Sequence, residues 1–273
     1  YPQLPEVPAD LRFTIRKDQL LYLLEKALPF VSTDELRPQL TGVQVEISPD
    51  SIRFVATDGH RLSCHTVSET GVNAETHFIM PADFGKTVLK AIKSKAYKNL
   101  IFVEGSVTLT SPAKPDDERS VCQVCFIIGS QTFIGRPIEG RYPTYEAVIP
   151  KANENKLVCN REQLVEVVSR VRGFSSEISQ QLRFTLNGTC TIDAEDVESG
   201  GQASEIFAGE YIGDDLTIGF NAGYVLSALA ALKSGRVEWG FGSPTSASIL
   251  RAAEDERDPN DDFLVLLMPV RLN

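Results

Sequence analysis

The sequence predicts an α+β fold of two domains, each built from two copies of a strand, an amphipathic helix and further antiparallel strands. Three observations carry this. The same order of elements recurs four times along the 273 residues. Apolar residues in four segments fall at helical spacing, each giving one buried stripe. The runs between them are rich in Val, Ile, Phe and Thr with the alternation of half-buried strands. Strands that follow one another at hairpin spacing pair antiparallel, with one face covered by the helices.

The first unit reads LRFTIRKDQLLYLLEKALPF, a strand running into a helix whose stripe is Leu20, Leu24 and Leu28, and continues through LTGVQVEISPDSIRFVATDGHRLSCHTV. The second opens with HFIMPADFGKTVLKAIKSK, where Pro81 precedes a helix with stripe Val88, Leu89 and Ile92; NLIFVEGSVTLT and CQVCFIIGSQTFIG follow. The third, KLVCNREQLVEVVSRVRGF, has Asn160 where an N-cap belongs and a stripe of Leu164, Val168 and Val171. LRFTLNGTCTIDAE follows it. The fourth, LTIGFNAGYVLSALAALKSG, repeats the pattern with Asn221 as cap and Val225, Leu229 and Leu232 inside, and ends in RVEWGFG, SASILRAAE and DFLVLLMPVRLN. Pairing units one with two and three with four, across the polar connector PKANENK, predicts domains at 1–152, with 1–10 as a connector, and 153–273. The charged stretches SPAKPDDERS and AEDERDPNDD read as solvated turns.

Hydrophobic residues at 42% and charged residues at 23% match a soluble globular chain, which excludes disorder. No apolar run approaches the ~18 residues of a membrane span, and YPQLPEVPAD lacks the basic and apolar regions of a secretory signal. A cytoplasmic location is expected. The cysteines, at 64, 122, 125, 159 and 190, are odd in number and scattered, so they are expected to be reduced.

The net charge of −10 argues at first against a nucleic-acid partner, but it is unevenly spread. Segments 12–28, 82–99, 160–172 and 222–236 carry +2, +4, +1 and +2, leaving −19 on the rest. One lysine-rich helix is ordinarily a solvated face. Four basic helices in four repeated units, gathered on one side, would form a surface for a polyanion contacted through phosphates without sequence readout. Arg16, Lys17, Lys86, Lys90, Lys93, Arg141, Arg170 and Lys233, on or beside the helices, are the candidates for facing it.

VATDGHRLSCH suggests catalytic chemistry, a metal-dependent hydrolase centred on Asp58, His60 and His65. Alternation along a strand sends His60 and Cys64 one way and His65 the other, and His77 is the only further histidine, so a complete metal site is hard to assemble. Cys122 and Cys125 of CQVC point to opposite faces of a strand and have no second pair. No glycine-rich phosphate loop, GxSxG elbow or HExxH occurs. No cofactor, metal or catalytic residue is expected.

Four stretches in order, FVATDGHRLS, EGRYPTYEAVIP, FNAGYVLSALAAL and LLMPVRLN, resemble the bacterial DNA sliding clamp, the beta subunit of DNA polymerase III. The resemblance spans Phe54 to Asn273. It implies the DNA clamp fold, with helices on the inner concave face and sheets outside, and places this chain's halves as the family's second and third domains. It implies a processivity factor that encircles double-stranded DNA without sequence preference and docks polymerase and other proteins carrying short motifs, with a clamp loader as further partner. The family's peptide-binding pocket, on the last domain at its junction with the middle one, maps onto Leu40, Thr57, Gly59, His60, Arg61, Leu62, Pro143, Val148, Pro244, Ser246, Leu266, Met268, Pro269, Val270, Arg271 and Leu272. Ala147 and Pro244 depart from the family pattern in the second subsite, and Asn273 extends one residue beyond the usual terminal leucine. The family has three domains per subunit, so this chain is expected to be a fragment or processed product. It would act either as a ring of three two-domain chains or as a monomeric peptide-binding module.

Overall fold

A computed structural model describes residues 9–68, 75–109, 120–151 and 153–272. Most of YPQLPEVPAD and SPAKPDDERS, with Asn273, lies outside the described residues. The chain divides into two compact units: Tyr1–Gly59, Ser63–Pro143 and Asn260–Asp262 form the first, and His60–Leu62, Thr144–Pro259 and Phe263–Asn273 the second.

In the first unit, β1 (Leu11–Arg16) runs directly into α1 (Lys17–Ala27). Next come β2 (Gly42–Ser48), β3 (Ser51–Thr57), β4 (Arg61–Ser68) and β5 (Thr76–Pro81). Helix α2 (Ala82–Ile92) precedes β6 (Phe102–Leu109), β7 (Val121–Ile128) and β8 (Gln131–Gly135). Strands β1-β6-β7-β8 form one antiparallel sheet, while β4, β3, β2 and β5 lie side by side in another. The helices pack on each other, and each touches strands of both sheets. Leu20, Leu23 and Leu24 of α1 and Val88 and Ile92 of α2 are buried; Leu89 is only half-buried.

The second unit repeats the plan. Strand β9 (Asn155–Asn160) leads into α3 (Arg161–Arg172), then β10 (Gln181–Leu186), β11 (Cys190–Asp196), β12 (Gly201–Phe207), β13 (Gly209–Ile212) and β14 (Leu216–Asn221). Helix α4 (Ala222–Ala231) and β15 (Arg236–Phe241), β16 (Ser248–Ala252) and β17 (Asp261–Leu267) complete it. One sheet runs β12-β11-β10-β14; in the other, β13, β9, β15, β16 and β17 are neighbours. Both helices start as expected: Asn160 Oδ1 accepts from the Gln163 amide at 3.0 Å and Asn221 Oδ1 from the Tyr224 amide at 3.1 Å. Each cap contributes about 1 kcal/mol. Trp239 anchors the core, with Phe184, Phe220 and Phe241 around it at centroid distances of 4.9–5.3 Å and Nε1 donating to Ser248 Oγ at 2.9 Å.

Three sequence expectations need correction. The basic charge is not shared by all four helix bodies: α4 contains no charged residue and α1 balances Lys17 and Lys26 against Asp18 and Glu25, while α2 and α3 each carry one net positive charge. Further cations sit at helix ends and in the turns beyond: Arg16 precedes α1, whereas Lys93, Lys95 and Lys98 follow α2 and Lys233 follows α4, where they complement the partial negative charge of those C-termini. His60 is not on a strand with Cys64; β4 begins at Arg61, and His60 lies in the turn before it, where Gly59 has φ 92°. AEDERDPNDD is more than a solvated turn, because the Glu256 carboxylate accepts from the Gly235 and Arg236 amides at 2.7 and 3.1 Å.

Candidate functional site

The chain's last described residues form a short extended tail on the second unit. Strand β17 ends at Leu267, and the Met268 amide then donates to the His60 carbonyl at 2.9 Å, while the Val270 amide donates to the Gly219 carbonyl at 2.9 Å. These bonds hold the tail between the His60–Leu62 segment and β14. Leu62 and Leu266 are buried, so their side chains offer no exposed apolar surface. Met268 and Arg271 are exposed, and Pro269, Val270 and Leu272 are half-buried. Elsewhere in this unit Val148, 52% exposed, is the last residue of a short 3-10 turn, and Pro244 and Ser246 occupy the Ser243–Ser246 turn, where Ser246 Oγ donates to the Ser243 carbonyl at 3.1 Å.

Tyr224 of α4 organises the polar side of this surface. The His60 ring stacks on it at 5.9 Å with an interplanar angle of 23°, the Arg61 guanidinium lies 5.0 Å from its ring centroid, and Arg61 Nη1 also bonds Ser227 Oγ. A guanidinium over a ring contributes about 0.5–1 kcal/mol at such a site. Neither Tyr224 nor Ser227 was among the residues expected from sequence. Their signal was faint: the aromatic and the hydroxyl of GYVLS stand three apart, on one side of the helix.

The remaining pocket candidates belong to the first unit. Leu40 is buried, and its carbonyl accepts from the Ser32 amide at 2.8 Å. Thr57 Oγ1 accepts from the Gly59 amide at 3.0 Å, and Pro143 is exposed.

Most of the eight basic candidates are already engaged. Lys17 Nζ donates to the Tyr97 and Lys98 carbonyls at 2.8 and 3.1 Å, closing the end of a 3-10 turn. Arg16 pairs with Asp18, Lys86 with Asp83 at 3.0 Å, Lys93 with Glu25 at 2.8 Å, and Arg170 with Glu205 and Glu166. The Arg170 guanidinium holds the Glu205 carboxyl below its usual range. Lys90 and Arg141 are exposed and make no ion pair among the described residues, and Lys233 is exposed beyond α4. Exposed pairs are each worth ~0–1 kcal/mol, so these cations can exchange a carboxylate for a phosphate at small cost.

The hydrolase reading fails. His65 is fully buried in the first unit, with Nε2 bonded to an Asp261 carboxylate oxygen, and Lys26 Nζ lies 3.9 Å from the same carboxylate. Burial pushes the His65 pKa down although Asp261 opposes the shift. Among the described residues no three His, Cys, Asp or Glu side chains are grouped to hold a metal. Cys122 is exposed and Cys125 buried on opposite faces of β7, and none of the five cysteines is in a disulfide.

Two tandem units, each with a helix pair packed across two antiparallel sheets, define the DNA clamp class of fold. Family models of the DNA polymerase III beta subunit match its central domain at residues 14–144 and its C-terminal domain at 146–271. The chain belongs to the bacterial beta sliding clamp family. It is 27% identical over 273 residues to the beta sliding clamp of Pseudomonas aeruginosa, covering 100% of this chain and 69% of that protein. Identity to the Synechococcus elongatus beta sliding clamp is 27% over 280 residues, covering 68% of it. Among solved structures, the P. aeruginosa sliding clamp bound to griselimycin superposes with a TM-score of 0.86 at 25% identity, over 100% of this chain and 68% of that one. The Streptococcus pyogenes beta subunit matches equally, at 0.86 and 25%, over 69% of its length.

Proposed function

We propose that this chain is a non-catalytic processivity clamp that tracks duplex DNA through its helix-end cations and docks partner proteins on the tail surface of the second unit. The observation that carries the docking reading is the tethering of Met268 and Val270 to His60 and Gly219, which holds an exposed Met268 beside the His60–Tyr224–Arg61 group. Methionine adapts its shape to many apolar ligands, and fixed hydrogen-bonding side chains beside it orient a peptide. The griselimycin complex of the P. aeruginosa clamp supports a ligand-binding surface in the family. The occupant is a short motif with a glutamine and bulky apolar residues, held at about micromolar affinity, roughly 8 kcal/mol, so that partners exchange.

Val148, Pro244, Ser246, Pro269, Arg271 and Leu272 complete the proposed docking surface in this unit. Lys90, Arg141 and Lys233 are the proposed phosphate contacts, with Arg16, Lys86, Lys93 and Arg170 joining them by exchanging partners. We also propose the cytoplasm as the location; no described helix is long and apolar enough to cross a membrane. Fluorescence anisotropy with a labelled motif peptide tests docking: Met268→Ala with His60→Ala should abolish binding, and retained binding would move the site elsewhere. Retention on nicked circular DNA with release on linearisation tests the topological link to DNA.

A further inference from the structure

The outward face of the second unit's β9–β15–β16 sheet carries a cavity of about 190 Å³ lined by Pro150, Lys151, Asn153, Lys156, Glu238, Gly240, Ile249, Arg251 and Arg257. Its position follows from register. Gly240 stands between Lys156 and Ile249, and Glu238 is opposite Arg251, so these side chains share one face. Val237, Trp239 and Phe241 point the other way into the core. The depression exists because Gly240 has no side chain; a Cβ there would stand 2.7 Å from Asn153 Nδ2.

The charge of this cavity is opposite to that of the chain. Four cations line it against one carboxylate, in a protein of net charge −10. Glu238 is taken up by Arg257, whose Nη2 donates to it at 2.8 Å while Nε donates to the Ala252 carbonyl at 2.9 Å. Lys151 and Lys156 make no ion pair among the described residues. The volume is far above the ~10–15 Å³ that one water needs and below the ~300 Å³ where drug-sized pockets begin. Its ligand is therefore compact, and cations converging from several walls suit a group with several charged oxygens better than one carboxylate.

We propose that this cavity is an anion site for a compact diphosphate group, read by Lys151, Lys156 and Arg251, with Arg257 held in place by Glu238. It shares no residue with the tail surface and does not depend on peptide docking there.

Calorimetric titration of the whole chain at low ionic strength, with inorganic pyrophosphate and separately with a nucleoside diphosphate, tests the site. Saturable one-to-one binding of pyrophosphate is expected, weakened about tenfold or more in the Lys151→Gln, Lys156→Gln double variant. Both lysines are exposed, and a circular dichroism spectrum checks that the variant folds. Equal affinity for the two titrants identifies the bare diphosphate as the recognised group, whereas tighter nucleoside diphosphate binding makes a nucleotide the source. No saturable binding of either titrant, or affinity unchanged in the double variant, overturns the proposal.

Discussion

The Val270 amide donates to the Gly219 carbonyl at 2.9 Å, and Gly219 leaves no space beside the tail: a Cβ there would stand 2.7 Å from both the Val270 carbonyl oxygen and Leu272 Cδ2. One obstacle is backbone, so Gly219→Ala must displace the tail from β14. The expected cost is ~1–3 kcal/mol in urea unfolding, the range for overpacking, with motif-peptide affinity lowered in parallel. An unchanged affinity would show that tail placement does not shape the docking surface.

Tyr224→Ala removes the ring that both His60 and Arg61 lie against. The two contacts together are worth about 1–2 kcal/mol, so urea unfolding should show a loss of that size, and peptide affinity should fall because His60 and Arg61 lose the ring that positions them. Tyr224→Phe keeps the ring and should bind like the parent. Anisotropy titrations of the two variants distinguish a role of the ring from one of the hydroxyl.

The buried His65 makes the first unit sensitive to acid. Its folded pKa lies below the ordinary 6.5, because burial disfavours the imidazolium more than Asp261 favours it. Its contribution to stability is therefore complete above about pH 6.5 and is lost as pH falls through the lower folded value, since the unfolded chain binds the proton first. Thermal unfolding followed from pH 7.5 downward should show a falling midpoint in that window, and His65→Gln should flatten this part of the profile. A midpoint that rises on acidification would contradict the assignment.

Trp239 is fully buried against Phe184, Phe220 and Phe241. Trp239→Ala should destabilise the second unit by about 3–5 kcal/mol and leave Ser248 Oγ without its indole donor. Chemical unfolding read by far-ultraviolet circular dichroism checks the size of the loss.

Lys90→Gln and Arg141→Gln each remove an exposed cation that makes no ion pair among the described residues. If both meet phosphates, binding to duplex DNA should weaken uniformly across sequences, and the slope of log K against log salt should fall by ~1 for each. Lys17→Gln should instead reduce stability, because its ammonium is spent on the Tyr97 and Lys98 carbonyls.

The sequence by itself determined the elements and their order. Helical spacing marked Leu164, Val168 and Val171 as one stripe, Asn160 and Asn221 announced their helices, and the four repeats with LLMPVRLN pointed to the family. Those signals are local, because capping, periodicity and alternation act over a few residues. Tertiary structure alone decided where charge is spent and what the tail rests on. Asp261 meets His65 across 196 positions, Arg170 meets Glu205 across 35, and Tyr224 carries two side chains from the other end of the sequence. No local pattern encodes such meetings; they arise only when separate apolar faces are buried together, and the polar groups at their margins must then satisfy whatever neighbour packing brings.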